Sequence, residues 1–451
     1  MISIRSKKGY DLNLAGRPSE ELSVLPEPRR LAMLPEHLPF VKPRLLVGVG
    51  DTVRLGTPLI EDKRNTEIRF LAPGAGRISD IRYGPRRVIR EIVIDLDEAT
   101  SAEAFERFSE NDIEKADRKT IAAALVRGGL WPLLRALPFR DYPDPAVEPP
   151  MVFVGLGSLE PFQPMPHVYL KDRLADFDFG LKALRKLCSD RLYVCAASAD
   201  TAVRQLLGDR IDMGYSGVYP AHDPGVLLYR TKKSAEENRA WFIDGQDVLR
   251  LAHLLKTGAY PTERIVAVAG VAARRRQHYQ TRIGAPLTHI AETASSTDAA
   301  VRYIQGGILT GFAASAEAHL GFHPAALNLL PEGNHPGELL GLFRPGYRKE
   351  SFSRAFTSAL NPQPLPIDCN VHGGDRACIA CGYCAVVCPV DILPQFTYKA
   401  ILAGEVEESL GHGLLDCVEC GLCSYVCPSK IELFETLKNA KAEFYREQSR
   451  S

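Results

Sequence analysis

No apolar run in this sequence approaches the roughly 18 to 20 residues that a bilayer-spanning helix needs. The longest, such as Ile265 to Ala273, are short, and Arg274, Arg275 and Arg276 follow at once. The chain is therefore not expected to cross a membrane. Its opening, MISIRSKKGYDLNLAG, lacks the apolar core and small-residue cleavage site of a secretory signal, so retention in the cytoplasm is the expectation. Neither charge is in excess: 55 Lys and Arg against 55 Asp and Glu give a formal net charge of zero, which speaks against nucleic acid as a partner. Cysteine is sparse over most of the chain. Cys188, Cys195 and Cys369 stand apart, the first two expected as small buried hydrophobes, while eight of the 11 fall between Cys378 and Cys427. Such crowding in a chain without a secretory signal reads as metal binding rather than disulfides.

What is present is ample: 451 residues, 45% of them hydrophobic, enough for three or four domains each with its own core. Residues 1–100 read as short strands between glycine turns, in RLLVGVGDTVRLGTPLI, EIRFLAPGAGRISDI and RRVIREIVIDLD. The run Val49-Gly50-Asp51-Thr52-Val53 through Gly56, Pro58 and Leu59, with Pro73-Gly74-Ala75-Gly76, resembles lipoyl and biotinyl carrier domains, which implies a small β-sandwich. Lys63 then falls near the position where true carriers bear their cofactor, but an exposed hairpin lysine is the favoured reading, because a fold does not fix a function. Residues 101–150 form a connector, helical over AEAFERFSENDIEKADRKTIAAALVRGGL and then a linker from Pro138 to Pro150.

From 151 to 280 strands and helices alternate: MVFVGLGS, DFGLKALRKLC, RLYVCAA, ADTAVRQLLG, GVLLYR as a strand, QDVLRLAHLLKTG and the strand RIVAVAGVAA. That alternation predicts a Rossmann-like α/β layer. Residues 281–361, opening with Arg282-Ile283-Gly284-Ala285-Pro286-Leu287, resemble a soluble-ligand-binding β-grasp domain (SLBB-like), and residues 362–451 are expected as a helical ferredoxin domain. The fold class is thus multidomain, α/β and α+β. On the last helix Leu433, Phe434, Leu437, Ala440 and Phe444 make one apolar stripe, read as core packing rather than a membrane anchor.

The sharpest signal is CIACGYCAVVCP, which sets Cys378, Cys381, Cys384 and Cys388 in the pattern C-x2-C-x2-C-x3-C-P, repeated by Cys417, Cys420, Cys423 and Cys427 in CVECGLCSYVCP. In such pairs three thiolates grip one [4Fe-4S] cluster and the fourth crosses to the other. One cluster is therefore expected on Cys378, Cys381, Cys384 and Cys427, and the second on Cys417, Cys420, Cys423 and Cys388. Gly382 and Gly421 would permit the close backbone approach and unusual dihedrals of such loops, and Pro389 and Pro428 would redirect the chain. Structural zinc, which commonly uses isolated C-x2-C pairs, is the rival, and it has no need of two Cys-Pro-terminated quartets. The span between the quartets, ILPQFTYKAILAGEVEESLGHGLLD, reads as helical and argues for an α-helical ferredoxin type.

A nucleotide site is less well drawn. Gly155 and Gly157 follow a strand, but the third glycine of a dinucleotide fingerprint is missing, and Asp200 reads as a helix cap rather than a ribose ligand. Arg274 to Arg276 read as a solvated edge. His222, His319, His323 and His335 have no metal-ligand spacing.

The stretches KKGYDLNLAG, VGDTVRLGTPLIEDKRN, GGLWPLLRALPF, SAEENRAWFIDGQDV, LKTGAYPTERIVAVAG and RIGAPL together resemble the NqrA family, one of the subunits of Na+-translocating NADH:quinone reductase. The cysteine quartets depart from the familiar form of NqrA and are similar to the related C subunit of the Rnf complex, whose glycine-rich turn and acidic nucleotide motif are not reproduced here. The resemblance implies a peripheral electron-transfer subunit on the cytoplasmic side of the inner membrane, with two [4Fe-4S] clusters, the other subunits of the complex as partners, quinone as a substrate, and membrane contact through those partners alone. An Rnf-like chain taking hydride from NADH onto FMN, and a soluble ferredoxin-like adaptor of an unrelated dehydrogenase, are the two alternatives.

Overall fold

The structure is a computed structural model and describes residues 1–98, 101–188, 191–235, 237–291, 300–333, 352 and 357–448; His335 lies outside them. Val152–Leu156 and Leu192–Ala197 are apolar without alternation and almost wholly buried, as strands covered on both faces must be. They sit at the centre of a six-stranded sheet ordered Ile2–Arg5, Met213–Ser216, Leu192–Ala197, Val152–Leu156, Ala240–Asp244, Arg135–Leu137. All its pairings are parallel except the last. Beside it pack the helices Leu174–Arg185 and Gly245–Thr257. They come so close at Gly180 that a Cβ there would stand 2.6 Å from Val248. Asp200 caps Thr201–Leu207, accepting from the Val203 amide at 3.0 Å, as the sequence suggests. GVLLYR, expected as a strand, belongs instead to the helix Pro224–Thr231. Asp223 accepts from the Gly225 amide at 2.8 Å and Pro224 suits the first helical position, so the start signal outweighs a short apolar run.

A second six-stranded sheet runs Phe312–Ala314, Val301–Gln305, Ala326–Pro331, Glu263–Ala269, Gln277–Arg282, Leu22–Val24. RIVAVAGVAA, assigned by its place in the chain to the α/β layer, thus lies in the β-grasp sheet. Short strands near the N-terminus are likewise lent to distant partners: Ile2–Arg5 to the α/β sheet and Leu22–Val24 to the β-grasp sheet. The remaining N-terminal strands form a four-stranded and a three-stranded sheet facing each other as a barrel-sandwich, with Lys63 exposed at a hairpin turn. In the connector, helix begins only at Glu110, where Ser109 and Asp112 form a reciprocal cap. The stretch before it is extended, with Phe105 and Phe108 amides bonded to Gly258 and Leu255 carbonyls. Nor is Pro138–Pro150 a free linker throughout, since Asp141 and Tyr142 are buried and Asp141 pairs with Arg64 at 2.6 Å.

The C-terminal segment is helical: Tyr383–Val387, Pro394–Ala403, Val406–Gly411, Leu422–Tyr425 and Leu433–Gln448. Its two cysteine quartets share one backbone trace. Counted from Cys378 and from Cys417, the left-handed residues coincide: Ala380 with Glu419 (φ 54 and 55), Gly382 with Gly421 (76 and 77), Asp391 with Lys430 (58 and 58). The last helix buries Leu433 and Leu437 in this segment, as its stripe predicts, and also Lys441, which the stripe does not. Among the described residues no helix is long and apolar enough to cross a membrane.

Both tryptophans of the chain meet in one junction between connector and α/β sheet. Trp131, fully buried, stands edge-on to Trp241 at 5.6 Å and gives its indole N–H to the Pro143 carbonyl at 2.7 Å. Trp131→Ala should cost about 3–5 kcal/mol in urea unfolding followed by circular dichroism; a change within error would deny that junction a structural role. Gly382→Ala should cost about 1–2 kcal/mol for its left-handed backbone alone. Gly421→Ala should cost more, since the added methyl would also stand 3.1 Å from the Leu309 carbonyl oxygen, whereas Gly382 faces open space. Equal midpoints for the two variants would contradict that packing.

Candidate iron–sulfur centres

The eight clustered cysteines line two neighbouring cavities. Cys378, Cys381, Cys384 and Cys427 surround the first, with Gln395 and Tyr398 of the helix Pro394–Ala403 on its wall. Cys388, Cys417, Cys420 and Cys423 surround the second, and Cys384 touches both. Among the described residues no three His, Cys, Asp or Glu side chains are placed to hold a single metal ion. The other sequence candidates find ordinary protein partners or none of this chemistry. Cys188 and Cys195 are buried away from the quartets. His222 meets Ser158 Oγ at 2.8 Å, His319 meets Glu91 at 3.2 Å and His323 meets Tyr142 Oη at 2.8 Å. After Gly157 the chain runs as a loop to Pro166 before any helix begins, so that turn presents no helix N-terminus to a phosphate.

Burial shapes the thiols. It pushes Cys388 up to about 11 and raises Cys384 and Cys417, while Cys420 and Cys423 are held well above the ordinary thiol value. At the first site Cys378 and Cys381 are exposed, whereas at the second Cys388 is buried and Cys417, Cys420 and Cys423 are half-buried.

The second is pressed against the α/β domain. Val226 packs with Val390, Val418 and Leu437, and Val387, Leu422 and Val426 pack with Leu12, Leu14 and Tyr219. Polar ties reinforce the apolar ones. Tyr219 Oη donates to the Cys420 carbonyl at 2.7 Å, and Arg140 donates to the Val418 carbonyl at 3.0 Å while pairing with Asp223 at 2.8 Å. Arg230 reaches the Pro389 carbonyl at 2.7 Å, Lys8 reaches Asp391 at 2.9 Å, and Lys232 pairs with Asp416. From within the segment, buried Lys441 donates to the Cys417 carbonyl at 2.7 Å and to Glu419 at 3.0 Å. Burial would raise the Glu419 carboxyl, but Lys441 and Arg140 outweigh it and hold it below the usual carboxylate value. None of these partners carries a sequence signature.

A further cavity, about 1590 Å³, lies beside the cysteines rather than among them. Val418, Glu419 and Phe434 belong to its wall and to that of the second cysteine cavity, so a single layer of residues separates the two. Among its lining residues Asp244 is pushed up to about 6 by burial and by neighbouring Asp247.

Comparison with known proteins follows the same four parts. Residues 4–97 match the NqrA N-terminal barrel-sandwich hybrid domain, residues 116–260 the NqrA second alpha/beta domain, residues 265–316 the NQRA C-terminal domain and residues 377–431 a 4Fe-4S dicluster domain. The NqrA subunit of the Na(+)-translocating NADH-quinone reductase of Rhodopirellula baltica is 30% identical over 415 residues, 91% of each chain. Its namesake in Pseudomonas aeruginosa is 32% identical over 415 residues, 92% of each. With that identity sustained along almost its whole length, and with three of the family's own domains in order, the chain belongs to the NqrA family of Na+-translocating NADH-quinone reductase subunits.

Proposed function

We propose that the chain is the peripheral electron-transfer subunit of a membrane-bound, Na+-translocating NADH:quinone reductase, relaying single electrons through two [4Fe-4S] clusters to or from partner subunits. The observation that carries this reading is the pair of cysteine-lined cavities joined at Cys384. Cys378, Cys381, Cys384 and Cys427 would hold one cluster, and Cys417, Cys420, Cys423 and Cys388 the other. Their donor chemistry fits: four cysteine sulfurs stand at each site, the set that [4Fe-4S] centres take. When bound, the clusters supply one-electron storage. The chain's own part is to exclude water from the second site with Val226, Val390 and Leu437, and to leave the first open at Cys378 and Cys381 for exchange with a partner. Ion translocation, membrane attachment on the cytoplasmic face and quinone chemistry fall, in this reading, to the partner subunits.

A second reading is favoured by the chamber that shares a wall with the second site: the chain itself exchanges electrons there with quinone, or with NADH through FMN. Stoichiometric FMN in the isolated chain, or bleaching of its colour by NADH without partners, would select it.

Anaerobically isolated chain should contain about eight irons and eight acid-labile sulfides. Crossed ligation makes a further prediction. Cys427→Ser should abolish the same paramagnetic resonance signal as Cys381→Ser, and Cys388→Ser the same signal as Cys420→Ser. If each quartet instead loses its own signal as a unit, ligands are not exchanged between them; colourless, iron-free protein would refute the relay altogether.

A further inference from the structure

The two quartets have the same backbone but not the same neighbours. In the loop Cys417–Cys420 three carbonyls accept from buried or half-buried side chains: Cys417 from Lys441, Val418 from Arg140 and Cys420 from Tyr219, at 2.7, 3.0 and 2.7 Å. Among the described residues, the corresponding carbonyls of Cys378, Ile379 and Cys381 accept from no Lys, Arg or Tyr side chain. The repeat makes the difference concrete. Counted from the first cysteine of each quartet, Leu402 falls where Lys441 falls, and Leu402 is 67% exposed. Ile379, the counterpart of Val418, is also 67% exposed, whereas Val418 is buried.

Reduction adds a negative charge to whatever the cysteines hold. At the open site water can answer that charge; at the second site the surrounding apolar side chains cannot, and burial by itself disfavours the reduced form. Hydrogen-bond donors fixed on the ligand-loop carbonyls oppose this: each hydrogen offsets part of the negative charge its carbonyl oxygen would otherwise set beside the site, and none must rearrange when the electron arrives. Lys441 and Arg140 bring carboxylate partners, Glu419 and Asp223, so their formal charge is offset and the oriented N–H groups are what they contribute. Tyr219 brings no charge at all.

We propose that Tyr219, Arg140 and Lys441 are positioning residues that set the reduction potential of the second cluster alone, replacing the solvation that docking on the α/β domain removes. Two of the three come from outside the cysteine segment, so the potential of one centre depends on the docked arrangement of the whole chain. The inference rests on the two-cluster reading given above.

The test is a redox titration of the anaerobically purified full chain, followed by electron paramagnetic resonance, for Tyr219→Phe, Lys441→Met and Lys441→Arg. Iron content of the unmodified chain comes first: without two clusters, the functional reading itself fails and this inference with it. With two clusters present, Tyr219→Phe and Lys441→Met should each lower one midpoint potential, the one belonging to the signal that Cys420→Ser removes, and leave the other in place. Lys441→Arg should restore most of the Lys441→Met shift. If Tyr219→Phe keeps its iron and moves neither midpoint, or both equally, the proposal is overturned. Should Lys441→Met lose a cluster, Tyr219→Phe decides alone.

Discussion

One ion pair, Arg140 with Asp223, joins the cysteine segment to two elements of the α/β domain at once. Asp223 caps the helix Pro224–Thr231 through the Gly225 amide, and Arg140, just beyond the antiparallel edge strand of the α/β sheet, meets both its oxygens, at 2.8 and 2.9 Å, and the Val418 carbonyl. An exposed pair would be worth little. This one is mostly enclosed, and each member already serves a second element, so helix, sheet edge and ligand loop are fixed by the same few atoms. Val226, in the first turn of the capped helix, packs with Val390, Val418 and Leu437 beside it, so polar and apolar contacts meet at the same place.

That arrangement makes the two sulfur-lined sites unequal although their backbones repeat. A duplicated loop would be expected to yield duplicated chemistry, and the conformations at Ala380 and Glu419, or Gly382 and Gly421, do coincide. What differs is the surface each copy was given to lean on. The first faces outward; the second leans on a neighbouring domain and receives an arginine and a tyrosine there. Function in such a repeat is divided by context rather than by ligand type.

How much of this is legible in the sequence varies with the range of the interaction. The quartets, the capping residue Asp200 and the apolar stripe of the last helix are local patterns, and the structure has each where its spacing puts it. The four-part fold class is legible for the same reason. Arg140, Tyr219 and Lys441 are not: an arginine in a proline-rich stretch and a tyrosine before a proline look like surface residues until the fold brings residues 140, 219 and 418 together. GVLLYR misleads because six apolar-rich residues fit either period, and the deciding signal, Asp-Pro, lies just ahead of them. RIVAVAGVAA is a strand as read, but no strand's own residues say which sheet will receive it.

The lending of strands between parts of the chain carries a practical consequence. Ile2–Arg5 closes the edge of a sheet whose next strand is Met213–Ser216, and Leu22–Val24 closes another beside Gln277–Arg282. Fragments cut at the apparent domain borders would bare the Met213–Ser216 and Gln277–Arg282 edges, leaving rows of unpaired amides and carbonyls free to recruit a neighbouring molecule. Excised pieces of this protein would therefore tend to self-associate, and its parts are better regarded as woven together than as beads threaded on a string.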